Sequence, residues 1–410
     1  MTMPTWERRK LLKAATGLAA VGAAALPAGT AAATTRRRGP SVLQPNAGPR
    51  RGHYLAAGPD TVTWGRLPNR DSTPATVIDS GAVITIDTAS HEGVLEDQGK
   101  DPLEYFTGHG VRPSRVLTDA VEVAARVAHD GPGPHVITGP VAIRGAEPGH
   151  TLKIEVLDLR LRVPYGVVSN RHGKGALPGE YPDAWVGRPE LAAYFNTGGN
   201  ISVFTEVGSR DGELVGVLPG EVARFPLAPF LGVMGVARDT SDLVNSVPPT
   251  DAGGNIDIND LGAGSTLYLP VRVPGALFFT GDPHMAQGDG EVALTAMEGS
   301  LRATFRLTTI PPGGPAPKLA FHEPFGETPD HWIPIGLSDP DGPVGGQETS
   351  LDVAMKRAVR SAMRFLTEEH GMPEPLAYAY LSAATDFQVS QVVDITTGIH
   401  GLIRKTDLGR

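Results

Sequence analysis

Cysteine is absent from this chain of 410 residues. Disulfides, an acylated cysteine anchor and a thiol nucleophile are therefore excluded. Basic charge is in deficit: 36 Lys and Arg stand against 45 Asp and Glu, a formal net charge of −9. Polyanion binding relies on basic surface, so nucleic acid is excluded as a partner. Several sequence signatures of chemistry are missing too. There is no Gly-x-Ser-x-Gly elbow, no His-Glu-x-x-His helix, no P-loop and no Gly-x-Gly-x-x-Gly. Asp257-Ile258-Asn259 with Gly262 hints at a calcium loop, but Leu261 occupies a ligand position and Tyr268 stands where the bidentate Glu belongs, which rules out an EF-hand.

What is present begins with an export-like segment at 1–33. Arg8-Arg9 precede Leu11-Leu12-Lys13, an alanine-rich apolar run follows from Ala14 to Pro27, and small residues lie around Ala31-Ala32-Ala33. The run is shorter than the ~20 residues of a membrane span. The segment resembles a twin-arginine export signal, departing from it at Glu7 and Leu11. The expectation is export to the periplasm or outside the cell, with the twin-arginine machinery as a partner. Four cations oppose Glu7 in this segment, so the remainder sits near −12. Residues 34–51, rich in Arg, Pro, Gly and Asn, read as a disordered linker.

Beyond it, 51 Gly and 37 Pro punctuate many short apolar runs. Leu152 to Val163 alternates apolar and polar residues, which predicts a strand with one buried and one wet face. Leu267 to Val273 does the same. Val292–Ala296 and Leu301–Leu307 predict a hairpin across Glu298-Gly299-Ser300. The fold expectation is mainly β: an antiparallel sandwich or barrel over 52–312, followed by a smaller α+β portion over 313–405. One helix stands out there. Leu351, Met355, Ala358, Ala362, Met363 and Leu366 share a face, Thr349 or Ser350 caps the start, and Gly371 and Pro373 end it.

Candidate chemistry gathers in two stretches. Drawn as a strand, Asn255, Asp257 and Asn259 project to one face, opposite Ile256 and Ile258, and Gly253-Gly254 lets backbone approach a ligand. The apolar run Gly275–Thr280 predicts a buried strand whose exit loop carries Asp282 and His284. Two residues apart on an extended chain, they point the same way, and a carboxylate with an imidazole suits zinc or another transition metal. Gln287, Asp289 and Glu291 alternate just beyond. His91 and His53 are further ligand candidates, and His135 a pocket-lining one.

These residues resemble the acetamidase/formamidase family from about Gly52 to Lys405. The resemblance rests on Asp79-Ser80-Gly81, on His135–Pro140 with Gly145–Gly149, on Gly253–Asp257, on Gly281–Glu291, and on Ala377-Tyr378 and Gln391–Asp394. Ala82 and His150 depart from the family pattern at turn positions. The resemblance implies a mostly β architecture, homo-oligomers, and hydrolysis of short amides such as formamide or acetamide to the carboxylate and ammonia, with a divalent metal. On that basis Asp257, Asp282 and His284, with His91, are expected to hold the metal, zinc in the first instance and calcium in the second. The metal activates water as nucleophile, Glu291 serves as general base, and Asn255 hydrogen-bonds the oxyanion. Two rival readings stand beside this one: an exported β-sandwich binding protein with a structural metal, and a hydrolase of larger amides or lactams.

Overall fold

Alternation at Leu152–Val156 does what it predicts. In the computed structural model, which describes residues 41–339 and 350–408, Leu152, Ile154 and Val156 of the strand Thr151–Leu161 are buried, and Lys153 and Glu155 are half-buried on the opposite face. This strand sits inside a nine-stranded sheet. Its neighbours are Thr266–Pro270 and Leu301–Ile310, both antiparallel to it. A second, eleven-stranded sheet has the strand Phe278–Ala286 near its centre, flanked by Phe230–Gly235, Val136–Arg144 and Met297–Glu298. The two sheets share one apolar core: Ile84, Ile154 and Phe305 from the first pack with Val141, Leu231 and Phe278 from the second. The rings of Phe278 and Phe305 meet edge to face across it, 5.4 Å apart. The mostly β expectation holds, and the relevant pairings are largely antiparallel, with His53–Leu55 against Ala82–Asp87 a parallel exception.

The helix Leu351–His370 follows its sequence signals. Ser350 accepts a hydrogen bond from the Asp352 amide, and Gly371 ends the helix in a left-handed conformation at φ 62°. It packs against the strands His331–Leu337 and Gly398–Arg404 through Ala354 and Ala358. A Cβ on Gly336 would lie 2.2 Å from the Ala358 amide nitrogen, so only glycine lets this helix reach the sheet. These C-terminal strands extend the nine-stranded sheet itself, so the α+β portion continues the β region. Ala377–Ser382 lies in a second helix, Glu374–Ala384.

Four expectations need correction. Residues 292–296 form no strand, and Met297–Glu298 and Leu301–Ile310 belong to different sheets, so there is no hairpin across Glu298–Ser300. The strand Gly253–Asn255 stops before Asp257, whose φ of 47° breaks the alternation. Arg162 and Arg302 are buried, not wet, because their strands bring them to the buried carboxylate of Asp87. Finally, the linker is ordered from Ser41 on: the Leu43 amide donates to the Arg162 carbonyl, Arg162 Nε donates to the Leu43 carbonyl, and carbonyls of Gln44 and Ala47 accept from Arg302. Buried guanidinium N–H groups need acceptors, and this arm supplies them. The export-like segment lies outside the described residues.

Candidate metal centre

Asp282 and His284 lie within the strand Phe278–Ala286, not in a loop after it. Their alternation puts both on the same side, as the sequence reading required: His284 Nε2 is 2.9 Å from Asp282 Oδ2. The neighbouring strand places Gly232 opposite, since Leu231 pairs with Pro283 and Val233 with Gly281. Gly232 has a specific role here. A Cβ at that position would lie 2.4 Å from Asp257 Oδ1, 2.6 Å from Asp282 Oδ2 and 2.9 Å from His284 Cε1. The missing side chain leaves the hollow around which these three residues gather.

Folding adds distant residues. His91 and His135 come from the ends of other segments, and both face the second carboxylate oxygen of Asp282, at 3.4 Å and 3.7 Å to Oδ1. On the other flank Glu298 Oε1 reaches to 3.0 Å from His284 Nε2, and Glu291 Oε1 to 3.9 Å. Asp394 joins Asp257 and Glu291 in a fourth, all-carboxylate grouping. The sequence-derived ligands thus fall into two overlapping sets. Asp257, Asp282 and His284 form one, while His91 joins Asp282 together with His135. His53 is exposed on an edge strand and belongs to neither.

Glu298, Asp394 and the ligand-grade position of His135 were missed in the sequence. In the sequence Glu298 stands at a turn-like Glu-Gly-Ser. Its one available sign was a lone carboxylate in an otherwise apolar and small-residue run from Val292 to Leu301. Asp394 stands out in the sequence only through the family resemblance.

Several observations fit a metal ion. All eight residues are buried. Five are carboxylates and three are imidazoles, so the cluster is acidic overall. Many of their polar atoms have no hydrogen-bond partner: both nitrogens of His91, both oxygens of Asp257, Asp282 Oδ1, His284 Nε2, Glu298 Oε2 and Asp394 Oδ2. His284 Nε2 lies within 3.0 Å of two carboxylates yet makes no hydrogen bond with either. Lone pairs that converge without bonding one another are what a cation would satisfy. The mixed nitrogen and oxygen donors around Asp282 suit a transition metal, and the all-oxygen trio Asp257, Glu291 and Asp394 suits a harder cation.

The protonation states tell the same story. Burial pushes Asp257 and Glu291 up, reinforced by their carboxylate neighbours, and pushes Asp394 up to about 7. Burial opposes charge on His284, but Glu298 and Asp282 outweigh it and raise that imidazole well above its ordinary range. His135 goes the other way: burial lowers it to about 4, which keeps it neutral and able to offer a lone pair. A set this short of positive charge gains strongly from a bound cation.

The supporting shell is specific. Gln287 accepts from His284 Nδ1 through Oε1 at 2.9 Å, and its own amide donates to the carbonyls of Asp257 and Ser390. This fixes Nδ1 as a donor and aims Nε2 at the centre. Asp257, Asp282 and Glu291 all hold left-handed backbone, at φ 47°, 50° and 49°. Non-glycine residues seldom adopt that conformation, and three in one site mark a place where backbone strain is retained to aim side chains.

His91, His135, Asp282, Glu291, Glu298 and Asp394 line the floor of an open cleft of about 590 Å³, with Asp257 and His284 behind them, and the buried Asn255 lines it too. Asn255 Nδ2 donates to the Val247 carbonyl at 3.2 Å, and Oδ1 is left without a partner. In this orientation it offers the cleft an acceptor.

Residues 240–405, which carry Asn255, Asp257, Asp282, His284, Glu291, Glu298 and Asp394, match the model of the Acetamidase/Formamidase family. Over these residues the chain is similar to that family. It is 28% identical over 202 residues to an acetamidase of Mycolicibacterium smegmatis, covering 38% of this chain and 49% of that protein. It is 30% identical over 194 residues to a putative formamidase of Schizosaccharomyces pombe, covering 39% and 47%. The chain therefore spans about half the length of these two relatives. A formamidase of Methylophilus methylotrophus matches at 26% over 302 residues, 64% of this chain and 74% of that one. Crystal structures of acetamidases share the fold. That from Bacillus halodurans has a TM-score of 0.63 at 24% identity, covering 87% of this chain and all of the other. That from Yersinia enterocolitica has a TM-score of 0.65 at 23% identity, covering 92% and 98%.

Proposed function

We propose that this acetamidase/formamidase relative is a metal-dependent amidohydrolase that cleaves short amides to the carboxylate and ammonia. The observation that carries this reading is the convergence of unpartnered, buried ligand atoms on one solvent-open cleft, in a chain whose matched relatives are named acetamidase and formamidase. Asp257, Asp282 and His284 would hold the ion, with His91 and His135 on the outer oxygen of Asp282; zinc is the first choice because imidazoles take part. Such an ion supplies Lewis acidity towards a carbonyl and acidifies water.

The remaining steps belong to the chain's own groups. Glu291 is the proton carrier. Its carboxyl is buried beside Asp394 and Asp257, and so holds a proton more tightly than an ordinary glutamate. It accepts a proton from attacking water and delivers it to the departing nitrogen, which amide cleavage requires. Asn255 lies at the wall of the same cleft. Its free Oδ1 accepts from the substrate's N–H, and with the carboxamide turned over Nδ2 would meet the oxyanion instead. The N-terminal segment would direct export, and the protein would act as a homo-oligomer.

The test is ammonia release from the purified protein over a panel of short amides. Activity that chelation abolishes and zinc restores supports the reading, with Glu291→Gln retaining metal but losing at least about a hundredfold in turnover. A fully active Glu291→Gln removes Glu291 as the proton carrier. A metal-loaded protein that releases no ammonia from any amide overturns the reading.

A further inference from the structure

Formamide and acetamide have only a few heavy atoms, whereas a cleft of about 590 Å³ is in the range that encloses much larger ligands. Above the acidic floor its wall is apolar, formed by Leu95, Pro132, Pro134, Val247, Leu294 and Val393. The mouth carries several charges, and nearly all are spent. Glu96 is held by His129 at 3.1 Å and by Lys100 at 3.6 Å. Asp97 is held by Arg171 at 3.0 Å and Asn200 at 2.9 Å, and His172 by Asp183 at 2.9 Å. Among the described residues, Lys174 is the charged residue at the mouth whose side chain makes no ion pair or hydrogen bond.

Its position is fixed from both sides. On one side the Lys174 amide bonds the Arg171 carbonyl, and Arg171 is anchored on Glu92 and Asp97. On the other, Ala176 bonds the carbonyl of Val292 at 2.9 Å, and Asn170 bonds that of Ala293 at 2.7 Å. Gly175 passes between them at φ 80°, where a Cβ would lie 3.0 Å from Asn170 Nδ2. The turn that presents Lys174 is thereby tied to the residues directly after Glu291.

We propose that Lys174 selects amides whose far end is a carboxylate: ω-carboxylate monoamides with an apolar spacer of a few carbons. The amide sits on the acidic floor, the methylenes lie along the apolar wall, and the terminal carboxylate meets the free ammonium at the mouth. This inference rests on the amide-hydrolase reading and adds a substrate class to it. An exposed lysine acts through a screened field, so the effect is moderate and salt-dependent.

The experiment compares kcat/KM for glutaramate with that for pentanamide, a neutral amide of equal length. The expected preference for glutaramate is about tenfold at low salt, falling towards parity in Lys174→Gln and at ~0.5 M salt. Equal rates for both substrates, or a preference unchanged in Lys174→Gln, would overturn the inference and leave the amidase reading intact wherever acetamide is hydrolysed. If no amide is turned over, the amidase reading fails by itself, and calorimetric binding of glutaramate decides. Binding that Lys174→Gln weakens about tenfold supports the carboxylate subsite; binding that is absent, or equal in the variant, overturns it.

Discussion

Two buried charge clusters in this molecule stand in opposite balance. Around Asp87, Arg302 donates two hydrogen bonds to the carboxylate, Tyr54 donates a third, and Arg162 approaches to 3.5 Å while also pairing with Asp119. Two guanidinium groups meet two carboxylates, and backbone carbonyls of the 41–50 arm take up further N–H groups. Around Asp282, five carboxylates meet three imidazoles, and lone pairs face one another unbonded. Both are deep in the fold. The first is closed and neutral, and serves to fasten the N-terminal arm to the sheets. The second is open to a cleft and short of positive charge, which is the condition for holding a cation and doing chemistry. Burial of charge alone does not mark a site; burial without compensation does.

This contrast can be broken from either side. The largest effect is expected at the balanced cluster. Arg302→Met leaves Asp87 buried without its main partner and should lower stability by about 3–5 kcal/mol in urea unfolding. A loss below ~1 kcal/mol would mean that the cluster is not a fastening. Next comes Gly232→Ala, which fills the hollow between Asp257, Asp282 and His284. Zinc affinity measured by competition with a chelator should fall more than about a hundredfold, comparable to losing a ligand. Asp282→Ala and His284→Ala should do the same, and full occupancy in both would refute the ligand assignment. Gln287→Leu removes the acceptor that orients His284, and should weaken metal binding about 10–100-fold while the fold persists, as judged by circular dichroism. The smallest effect has the opposite sign. In metal-free protein Glu298→Gln removes one of the uncompensated carboxylates, and should raise stability by about 1 kcal/mol. Destabilisation there would show that the acidic cluster is balanced after all.

The sequence was legible where neighbours along the chain decide the outcome. Ser350 and Gly371 bound their helix because capping is settled within a turn or two. Asp282 and His284 meet because a strand repeats every two residues. Legibility failed where a local pattern meets a tertiary demand. Arg162 and Arg302 alternate as surface residues should, yet Asp87 draws them inside. Asp257 sits in an alternating stretch, yet the strand ends at Asn255 and Asp257 takes up left-handed backbone. Glu298 sits at a turn-like Glu-Gly-Ser, yet it pairs across from His284 in the sheet.

By itself the sequence determined a cysteine-free, acidic, β-rich chain, the helix that closes its C-terminal part, and the Asp-x-His pair on one face of a buried strand. Each depends on composition or on contacts a few residues apart. Only the tertiary structure decided that His91 and His135 share one oxygen of Asp282, that Glu298 and Asp394 complete the acidic floor, and that Gly232 holds the hollow open. Those contacts join residues tens to hundreds of positions apart. Their geometry is set by strand register and sheet pairing, which no local pattern encodes.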